Sequence, residues 1–175
     1  MLEIREAEAK DALKIIEYLN VVGGESDNLL FGANGFHLTV EEEARMIEMW
    51  RHDENMAMLL GFINDELVAN ALIRYENRSR IKHNGVLAVS VKKAYWHQGI
   101  GSKMLKASID FAKQTPDLLQ LSLGVRSSNI HAITLYKKHH FELIGRHKNY
   151  FYVNGVYDDE VLMDLDLGKR EFTRK

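Results

Sequence analysis

The amino-acid sequence predicts an α/β fold with a mixed, largely antiparallel seven-stranded sheet and helices on both faces. Three features of the 175-residue chain support this fold class. Short apolar segments of strand length and amphipathic segments of helical period occur along its whole length. Asn64-Asp65 and Asn154-Gly155 each separate two apolar segments and are typical of hairpin turns. A long amphipathic helix at residues 99–113 closely follows a buried strand.

The residue pattern of the N-terminal part of the chain predicts one strand and one helix. Residues 2–7 have the pattern of a first strand. A first helix is predicted at residues 9–22, and we expect Gly23 and Gly24 to end it. Apolar residues recur in this helix at helical spacing: Leu13, Ile16 and Leu19.

A second helix is predicted after a polar, glycine-containing stretch at residues 25–37. Thr39 caps this helix, because Glu42 three residues later completes the pattern of a capping box. The helix is expected to run to about Arg51. Its bulky apolar residues are core candidates, with a homodimer surface as the alternative: Met46, Met49 and Trp50.

The rest of the chain predicts six more strands and two more helices. The strands are expected at residues 56–63, 66–75, 85–91, 118–125, 141–153 and 156–167, and the helices at residues 99–113 and 129–138. Pro116 is the single proline, and there is no Gly/Ser-rich linker or repeat. We therefore expect one domain over residues 1–168, followed by a short basic tail over residues 169–175.

The composition of the chain narrows the possible classes of function. The formal net charge is −2, so no overall basic charge draws the chain to nucleic acid or to an anionic membrane. The absence of cysteine excludes disulfides, thiolate metal sites and a cysteine nucleophile. The eight histidines include no His-Glu-x-x-His spacing, so no metal site is expected. The N-terminus becomes charged at once and no segment is apolar enough to cross a bilayer, so we expect a cytoplasmic protein.

The first stretch with chemical content joins the buried strand to the long helix. The strand ends at residues 87–91, and a short loop leads from it to Gly99-Ile100-Gly101 at the helix start. Backbone N–H groups in the first turn of a helix lack partners and attract phosphate, and Ser102 could add a hydroxyl. The same glycines could instead serve packing or a tight turn. The pattern lacks the third glycine of a dinucleotide fingerprint and the Gly-Lys-Ser/Thr run of a Walker A loop.

The second stretch lies about thirty residues further along the chain. Asn129 is in position to cap a helix at its N-terminus. Tyr136 lies on the same face of that helix as Ala132 and Ile133. A tyrosine on such a face is usually a core residue.

In this order and at this separation, the two stretches resemble the GNAT superfamily of N-acetyltransferases. The resemblance covers residues 2–167 and is most specific over residues 87–141. The closing segment, from Gly145 to Met163, is similar to a common bacterial branch of that family. The resemblance implies that acetyl-CoA is a co-substrate and that no metal is needed.

The resemblance also assigns roles to residues of the two stretches. Val89, Ser90 and Val91 would pair through their backbone with the pantetheine arm of acetyl-CoA. The backbone N–H groups of six residues would hold the pyrophosphate: His97, Gln98, Gly99, Ile100, Gly101 and Ser102. Asn129 would hydrogen-bond the cofactor arm, and Tyr136 would donate a proton to the departing CoA thiolate or orient the sulfur.

Three residues depart from the pattern of the family. Trp96 stands where Arg or Gln is usual in the pyrophosphate motif, so a direct polar contact is lost. His140 stands where a glycine usually precedes the phenylalanine, and we expect a left-handed backbone there. Gly124 stands where the ribosomal-protein branch has a glutamate base, which argues against the base and the substrate of that branch.

A general base is therefore needed from elsewhere, because an alkyl amine is mostly protonated at neutral pH. Glu76 is the candidate that we place in the catalytic set, and His83, Glu25, Asp158 or a water chain are alternatives. Glu76 and His83 both precede the central strand, and we expect them near the point where the acceptor enters. Glu25 and Asp27 lie in the loop that forms an acceptor wall in this family and could attract a cationic amine. Side chains of these types in such positions are more often solvated surface residues.

The leading hypothesis for function is acetyl transfer from acetyl-CoA to a primary amine of a small molecule. Direct attack in a ternary complex is favoured, since no cysteine is present to carry the acetyl group. One alternative is acetylation of a protein or peptide at its N-terminus or at a lysine. The other is a sensor or scaffold that binds CoA without catalysis.

Overall fold

The computed structural model describes residues 1–33, 35–52, 56–75 and 78–169. Its strands are β1 (Glu3–Glu6), β2 (Met56–Ile63), β3 (Glu66–Tyr75), β4 (Asn84–Val91), β5 (Gln120–Arg126), β6 (Glu142–Val153) and β7 (Val156–Asp166). They form one sheet in the order β1-β2-β3-β4-β5-β7-β6. Neighbouring strands are antiparallel except β4 and β5, which are parallel. The predicted mixed, largely antiparallel seven-stranded sheet is confirmed.

Helices cover both faces of this sheet, as predicted. They are α1 (Ala12–Glu25), α2 (Val40–His52), α3 (Ile100–Gln114) and α4 (Ile130–Lys138). Leu60 packs with α1 and α2 in one core, whereas the adjacent Leu59 belongs to a second core with α3. Successive side chains of a strand point to opposite faces, so the two cores lie on opposite sides of the sheet.

The buried face of α1 differs from the predicted one. Leu13 is 52% exposed, and the apolar residues that are buried lie on the neighbouring stripe of the helix: Ala12, Ile15, Tyr18 and Val22. Gly23 and Gly24 do not end the helix, which continues to Glu25. A Cβ at Gly23 would collide with the carbonyl oxygen of Gly32. This glycine therefore lets the loop that follows α1 pack directly on the helix.

The predicted capping box at the start of α2 is confirmed. The backbone N–H of Thr39 donates to Oε2 of Glu42 at 2.8 Å, and the N–H of Glu42 donates to Oγ1 of Thr39 at 3.2 Å. Ile47 is the apolar residue of α2 that is buried in the core. The three residues predicted for the core are only partly buried or exposed: Met46, Met49 and Trp50.

Glu43, one turn before Ile47 on α2, is a buried carboxylic acid. Its exposure is 0%, and neither of its oxygens has a hydrogen-bond partner among the described residues. Burial raises the pKa of Glu43. A carboxyl group without partners is more stable inside a protein in its protonated form, so its charge state should couple to the stability of the fold.

Both predicted hairpin turns are present. Asn64 and Asp65 have φ angles of 48° and 65°, and Asn154 and Gly155 have φ angles of 51° and 81°. Two consecutive residues with positive φ are typical of the type I′ turn, whose twist matches that of the flanking strands. These turns fix the pairing of β2 with β3 and of β6 with β7.

The chain end packs against α3 as far as it is described. Nζ of Lys169 donates to the carbonyl oxygens of Ala112 (2.9 Å) and Thr115 (2.5 Å) at the C-terminal end of α3. A cation is favourable there, because the last carbonyl groups of a helix lack partners. The rest of the predicted basic tail, residues 170–175, lies outside the described residues.

The two parallel strands separate part of the way along their length. Residues 84–86 of β4 pair with residues 120–122 of β5, and the strands then diverge. Beyond residue 86, the backbone of β4 consequently has no partner in β5. Main-chain N–H and C=O groups need partners, so this edge is available to a ligand that offers them.

Candidate active site

A cleft of about 610 Å³ opens where β4 and β5 diverge. Its walls come from α1 and the following loop, the end of β4, the start of α3, and α4. The volume lies in the range of about 300–1,000 Å³ that is typical of small-molecule sites. All but one of the residues predicted to bind cofactor line it: Val89, Ser90, Val91, His97, Gly99, Ile100, Gly101, Ser102, Asn129 and Tyr136. The side chain of the remaining one, Gln98, donates instead to the carbonyl oxygen of Ala94 at 3.1 Å.

Two side chains fix the unpaired end of β4. Nε1–H of Trp96 donates to the carbonyl oxygen of Val91 at 2.7 Å. Oγ of Ser90 lies 2.9 Å from the hydroxyl oxygen of Tyr18 on α1. Burial raises the pKa of Tyr18, so this hydroxyl stays protonated and uncharged. Trp96, a departure from the family pattern, therefore holds the strand that borders the cleft.

The N-terminus of α3 opens into the cleft. Gly99 is the N-cap residue with a φ of 75°, and no described side chain caps the helix. The first N–H of the helix with a partner inside it is that of Lys103, which donates to the carbonyl of Gly99. The N–H groups of residues 100–102 precede it and lack partners within the helix. Such a helix end favours a phosphate or another anion.

Histidines surround this helix N-terminus. Oγ of Ser102 lies 2.7 Å from Nε2 of His139, and the rings of His97 and His131 meet edge to face at 5.4 Å. Burial, followed by neighbouring positive charge, lowers the pKa of His139. The neutral ring can accept the hydroxyl proton of the serine. His140 has a φ of 67°, which confirms the predicted left-handed backbone at that position.

Asn129 and Tyr136 bring α4 into the cleft. Oδ1 of Asn129 accepts the N–H of Ala132 at 3.2 Å, which confirms the predicted N-cap and leaves the side-chain NH₂ free to donate. The ring of Tyr136 lies 5.8 Å from that of Phe141. Burial raises the pKa of Tyr136 to about 12. Its hydroxyl is protonated at neutral pH, and no described residue hydrogen-bonds to it.

Asp158, one of the predicted base candidates, is unsuited to that role. Its carboxylate accepts hydrogen bonds from Oγ of Ser127 (2.6 Å), Oγ of Ser128 (2.6 Å), Nε of Arg126 (3.1 Å) and the next backbone N–H. These bonds, with the one from Ser127 the strongest cause, hold the pKa of Asp158 well below its usual range. Asp158 instead fixes the turn between β5 and α4 from which Asn129 projects.

The other base candidates lie in different places. Glu25 lines the cleft, and its Oε2 accepts the backbone N–H of Lys93 at 2.7 Å. His83 precedes β4 at the end where β4 and β5 are paired, so its predicted place near the acceptor entrance is wrong. Glu76 lies outside the described residues. The preceding Tyr75 pairs near the start of β4, at the same end of the sheet as His83.

A carboxylate that sequence reasoning missed lies beside the divergence of β4 and β5. A Cβ at Gly124 of β5 would overlap with Oε1 of Glu160, so the Glu160 side chain lies across this glycine. Oε2 of Glu160 lies 2.9 Å from Nδ1 of His147 on β6. The Glu160 side chain is 13% exposed and the His147 side chain 56% exposed. A glycine in the middle of a strand was the available signal, because it often marks a close approach by another group.

Two features are absent from the described part of the chain, and both bear on other classes of function. Among residues 1–33, 35–52, 56–75 and 78–169, no three His, Asp or Glu side chains come together as metal ligands. Within those same ranges, no helix has the length and apolar character needed to cross a membrane.

Comparison with known proteins places the chain among acetyltransferases. A family model described as "Acetyltransferase (GNAT) family" matches residues 28–141, more than half of the chain. L-amino acid N-acetyltransferase AaaT of Escherichia coli (strain K12) is 28% identical over 105 residues, which cover 60% of this chain and 65% of AaaT. An N-alpha-acetyltransferase of Sulfurisphaera tokodaii is 35% identical over 87 residues, which cover 50% of each chain. The chain thus spans less than two-thirds of the length of these curated relatives.

The similarity in structure extends over more of the chain. An acetyltransferase of the GNAT family from Streptococcus pneumoniae superposes with a TM-score of 0.92 at 33% identity. The match covers 96% of this chain and 100% of that one. The shared fold is therefore not confined to the two motif stretches. With a family model that matches more than half of its length, this chain belongs to the GNAT acetyltransferase family.

Proposed function

We propose that the protein transfers an acetyl group from acetyl-CoA to a primary amine of a small molecule. The observation that carries this proposal is the meeting of three features in one cleft. These are the unpaired edge of β4, the uncapped N-terminus of α3 and the protonated hydroxyl of Tyr136. A thioester carrier with a long amide-containing arm and a pyrophosphate needs all three.

The residues of the cleft match the successive parts of acetyl-CoA. The backbone at residues 89–91, which has no partner in β5, would pair with the amides of the pantetheine arm. The NH₂ group of Asn129 would donate to the same arm. The backbone N–H groups of residues 97–102, helped by the Ser102 hydroxyl, would hold the pyrophosphate. The thioester would then lie between the diverging strands, close to Tyr136.

In the proposed reaction, the amine nitrogen bonds to the acetyl carbon while the bond from that carbon to sulfur breaks. Tyr136 donates its proton to the sulfur, so that a thiol leaves. Its raised pKa keeps the tyrosine protonated before this step. The acceptor nitrogen must lose a proton in exchange. Direct attack in a ternary complex is favoured because the chain has no cysteine to carry the acetyl group.

Two hydrogen bonds across the acceptor side support a small acceptor. Nη1 of Arg126 donates to the carbonyl oxygen of Asp27 at 2.8 Å, and Nδ2 of Asn154 donates to Oδ2 of Asp27 at 3.1 Å. These bonds tie the loop after α1 to β5 and to the hairpin between β6 and β7. Joined walls leave less room for an extended peptide than for a free amino acid or another small amine. AaaT, by its name, acts on an L-amino acid.

Acetylation of a protein N-terminus is the second candidate, favoured by the name of the relative from S. tokodaii. Acetyl-CoA binding should be measured by calorimetry, and thiol release across a panel of amino acids, polyamines and short peptides. Release with small amines supports our proposal, and a preference for peptides supports the second candidate. Binding without any release would indicate a sensor or scaffold, and absence of binding would refute all three. A cytoplasmic location and a homodimer stay predictions.

A further inference from the structure

The acceptor nitrogen in the proposed reaction needs a proton acceptor, and the family motif offers none in this chain. Gly124 stands where a related branch carries its glutamate base, and Asp158 is fully occupied by other donors. Glu25 lines the cleft, but its Oε2 accepts the backbone N–H of Lys93. A further source of a base is a carboxylate that reaches the diverging part of β5 from another strand. Glu160 of β7 lies over Gly124, in the part of β5 that has diverged from β4.

The Glu160 carboxylate occupies the space that a side chain at position 124 would fill. A Cβ at Gly124 would overlap with Oε1 of Glu160 and would lie 3.1 Å from its Cγ. Glu160 pairs with Arg126 in β5, so Gly124 is its diagonal neighbour on the same face of the sheet. The glycine thus makes room for a carboxylate that enters from β7.

Gly124 also lies in the part of β5 that has diverged from β4. The parallel pairing of β4 with β5 ends at Ser122, so the glycine is two residues into the diverging part. Its neighbours Leu123 and Val125 pack in the core that also contains Tyr136. Because side chains alternate along a strand, Glu160 and Tyr136 lie on opposite faces of the sheet at this divergence. A thioester held between the strands would have the proton donor on one side and the carboxylate on the other.

The hydrogen bonds of Glu160 hold one of its carboxylate oxygens and leave the other without a partner among the described residues. Oε2 is held by Nδ1 of His147 at 2.9 Å, and no described residue donates a hydrogen bond to Oε1. Arg126, the residue of β5 that pairs with Glu160, is the positive side chain of that strand and forms an ion pair with Asp158 at 3.1 Å. The exposed ring of His147 gives Glu160 a route to solvent.

We propose that Glu160 is the general base of this enzyme and that His147 positions it and relays the proton. This rests on the proposed acetyl transfer. Oε1 of Glu160 takes one proton from the ammonium form of the acceptor, which becomes the neutral amine that attacks. As the C–N bond forms and the C–S bond breaks, Tyr136 gives one proton to the sulfur and the nitrogen releases its second proton to water. The products are an amide and a free thiol. Glu160 returns its proton to water through His147, and the tyrosine regains one from water, so the enzyme is restored.

The first test is Glu160→Gln, with Glu142→Gln on an exposed part of β6 as the matched control. We expect kcat of Glu160→Gln to fall by about 100-fold or more, with the Kd of acetyl-CoA unchanged, because this is the usual range for an assisted proton transfer. The loss should shrink as the pH rises above about 10, because an alkyl amine with a pKa of about 10 is then mostly deprotonated in solution. The control variant should keep wild-type turnover.

A second variant guards against a purely structural effect. Gly124→Glu combined with Glu160→Ser moves the carboxylate from β7 to β5 at the same face of the sheet. The kcat of this double variant should be at least about tenfold higher than that of Glu160→Gln. A residue that only supports sheet packing would give no such recovery. His147→Gln should slow turnover less, and added imidazole should restore part of it.

The outcomes separate this inference from the proposed function. If the wild type turns over a small amine and Glu160→Gln stays within threefold of it, Glu160 is not the base, while the acetyltransferase proposal stands. Loss of turnover in Glu160→Gln without recovery in the relocated variant and without imidazole rescue would also overturn the inference. A wild type that releases no thiol with any acceptor would remove both proposals.

Discussion

Replacing Tyr136 with phenylalanine tests the proton donor of the proposed reaction. The change removes one oxygen and keeps the ring, whose contact with Phe141 has a centroid distance of 5.8 Å. No described residue hydrogen-bonds to the hydroxyl, so its loss leaves no partner unsatisfied. We therefore expect the Tm to stay within about 2 °C of the wild type, since no internal hydrogen bond is lost.

The effect on turnover should be much larger than the effect on stability. General acid catalysis contributes about 100- to 10,000-fold, and the lower limit corresponds to about 2.7 kcal/mol of activation free energy. We expect kcat of Tyr136→Phe to fall by at least about 100-fold, with the Kd of acetyl-CoA changed less than about twofold. Calorimetry measures the Kd, and thiol release at saturating amine and acetyl-CoA measures kcat.

The pH dependence of the wild type gives an independent test. A general acid works only while it is protonated, and burial raises the pKa of Tyr136 to about 12. The wild-type kcat should therefore show no alkaline decline up to about pH 10.5, whereas an ordinary tyrosine with a pKa of about 10 would already be mostly ionised. Tyr75→Phe, at the far end of the sheet, is the matched control. Turnover of Tyr136→Phe within threefold of the wild type would refute the proton-donor role.

Three further predictions follow from single contacts. Trp96→Phe removes the hydrogen bond to the carbonyl of Val91. It should raise the Kd of acetyl-CoA, measured by calorimetry, about five- to tenfold, which corresponds to the loss of one hydrogen bond. An unchanged Kd, or an equal rise in the control variant Trp50→Phe, would contradict this prediction. The raised pKa of Glu43 stabilises the fold below about pH 4.3, and this contribution is lost as pH rises through the raised value. The free energy of unfolding in urea should therefore depend less on pH in Glu43→Gln than in the wild type, by at most about 1.4 kcal/mol per pH unit. The same pH dependence in both proteins would contradict this prediction. The lowered pKa of Asp158 acts in the opposite sense, because its contribution to stability is present above about pH 3.9 and is lost as the pH falls. The difference in free energy of unfolding between the wild type and Asp158→Asn should therefore become smaller in acid. A difference that is constant with pH would exclude that effect.

Features set by neighbouring residues could be predicted from the sequence. The capping box of Thr39 and Glu42 needs two side chains three residues apart, and both of its hydrogen bonds are present. The turn at Asn154-Gly155 follows from residues that tolerate positive φ. The left-handed backbone at His140 followed from the motif position alone. In each case, the energy that decides the conformation lies within a few residues of the chain.

Features set by contacts between distant residues could not be predicted in the same way. Gly23 has the signature of a helix end, but α1 continues through it because the loop at Gly32 packs where a side chain would be. The choice of buried face on α1 was also wrong, since two adjacent stripes of the helix carry apolar residues. Leu13 is exposed because the loop and the sheet approach the other stripe. Helical spacing alone does not distinguish such neighbours.

The register of β6 against β7 is the reason that Glu160 escaped notice. The pairing contains irregularities between Leu143 and Gly145 and between His147 and Phe151. Each irregularity changes which residues share a face of the sheet, because side chains alternate with a period of two. The juxtaposition of His147 with Glu160 depends on both strands and on these irregularities. No spacing in the sequence encodes it.

Positions 124 and 160 form one unit, and this changes how the missing glutamate of the motif is understood. Read along the motif, Gly124 indicates that a base has been lost. In space, the same glycine is the condition for a carboxylate to reach that point from β7, since any side chain at 124 would displace Glu160. A substitution at either position alone therefore changes both the space over residue 124 and the position of the carboxylate charge. The two residues should therefore be substituted together in experiments. For this chain, the face of the sheet on which a carboxylate lies identifies a candidate base better than its position in the sequence motif.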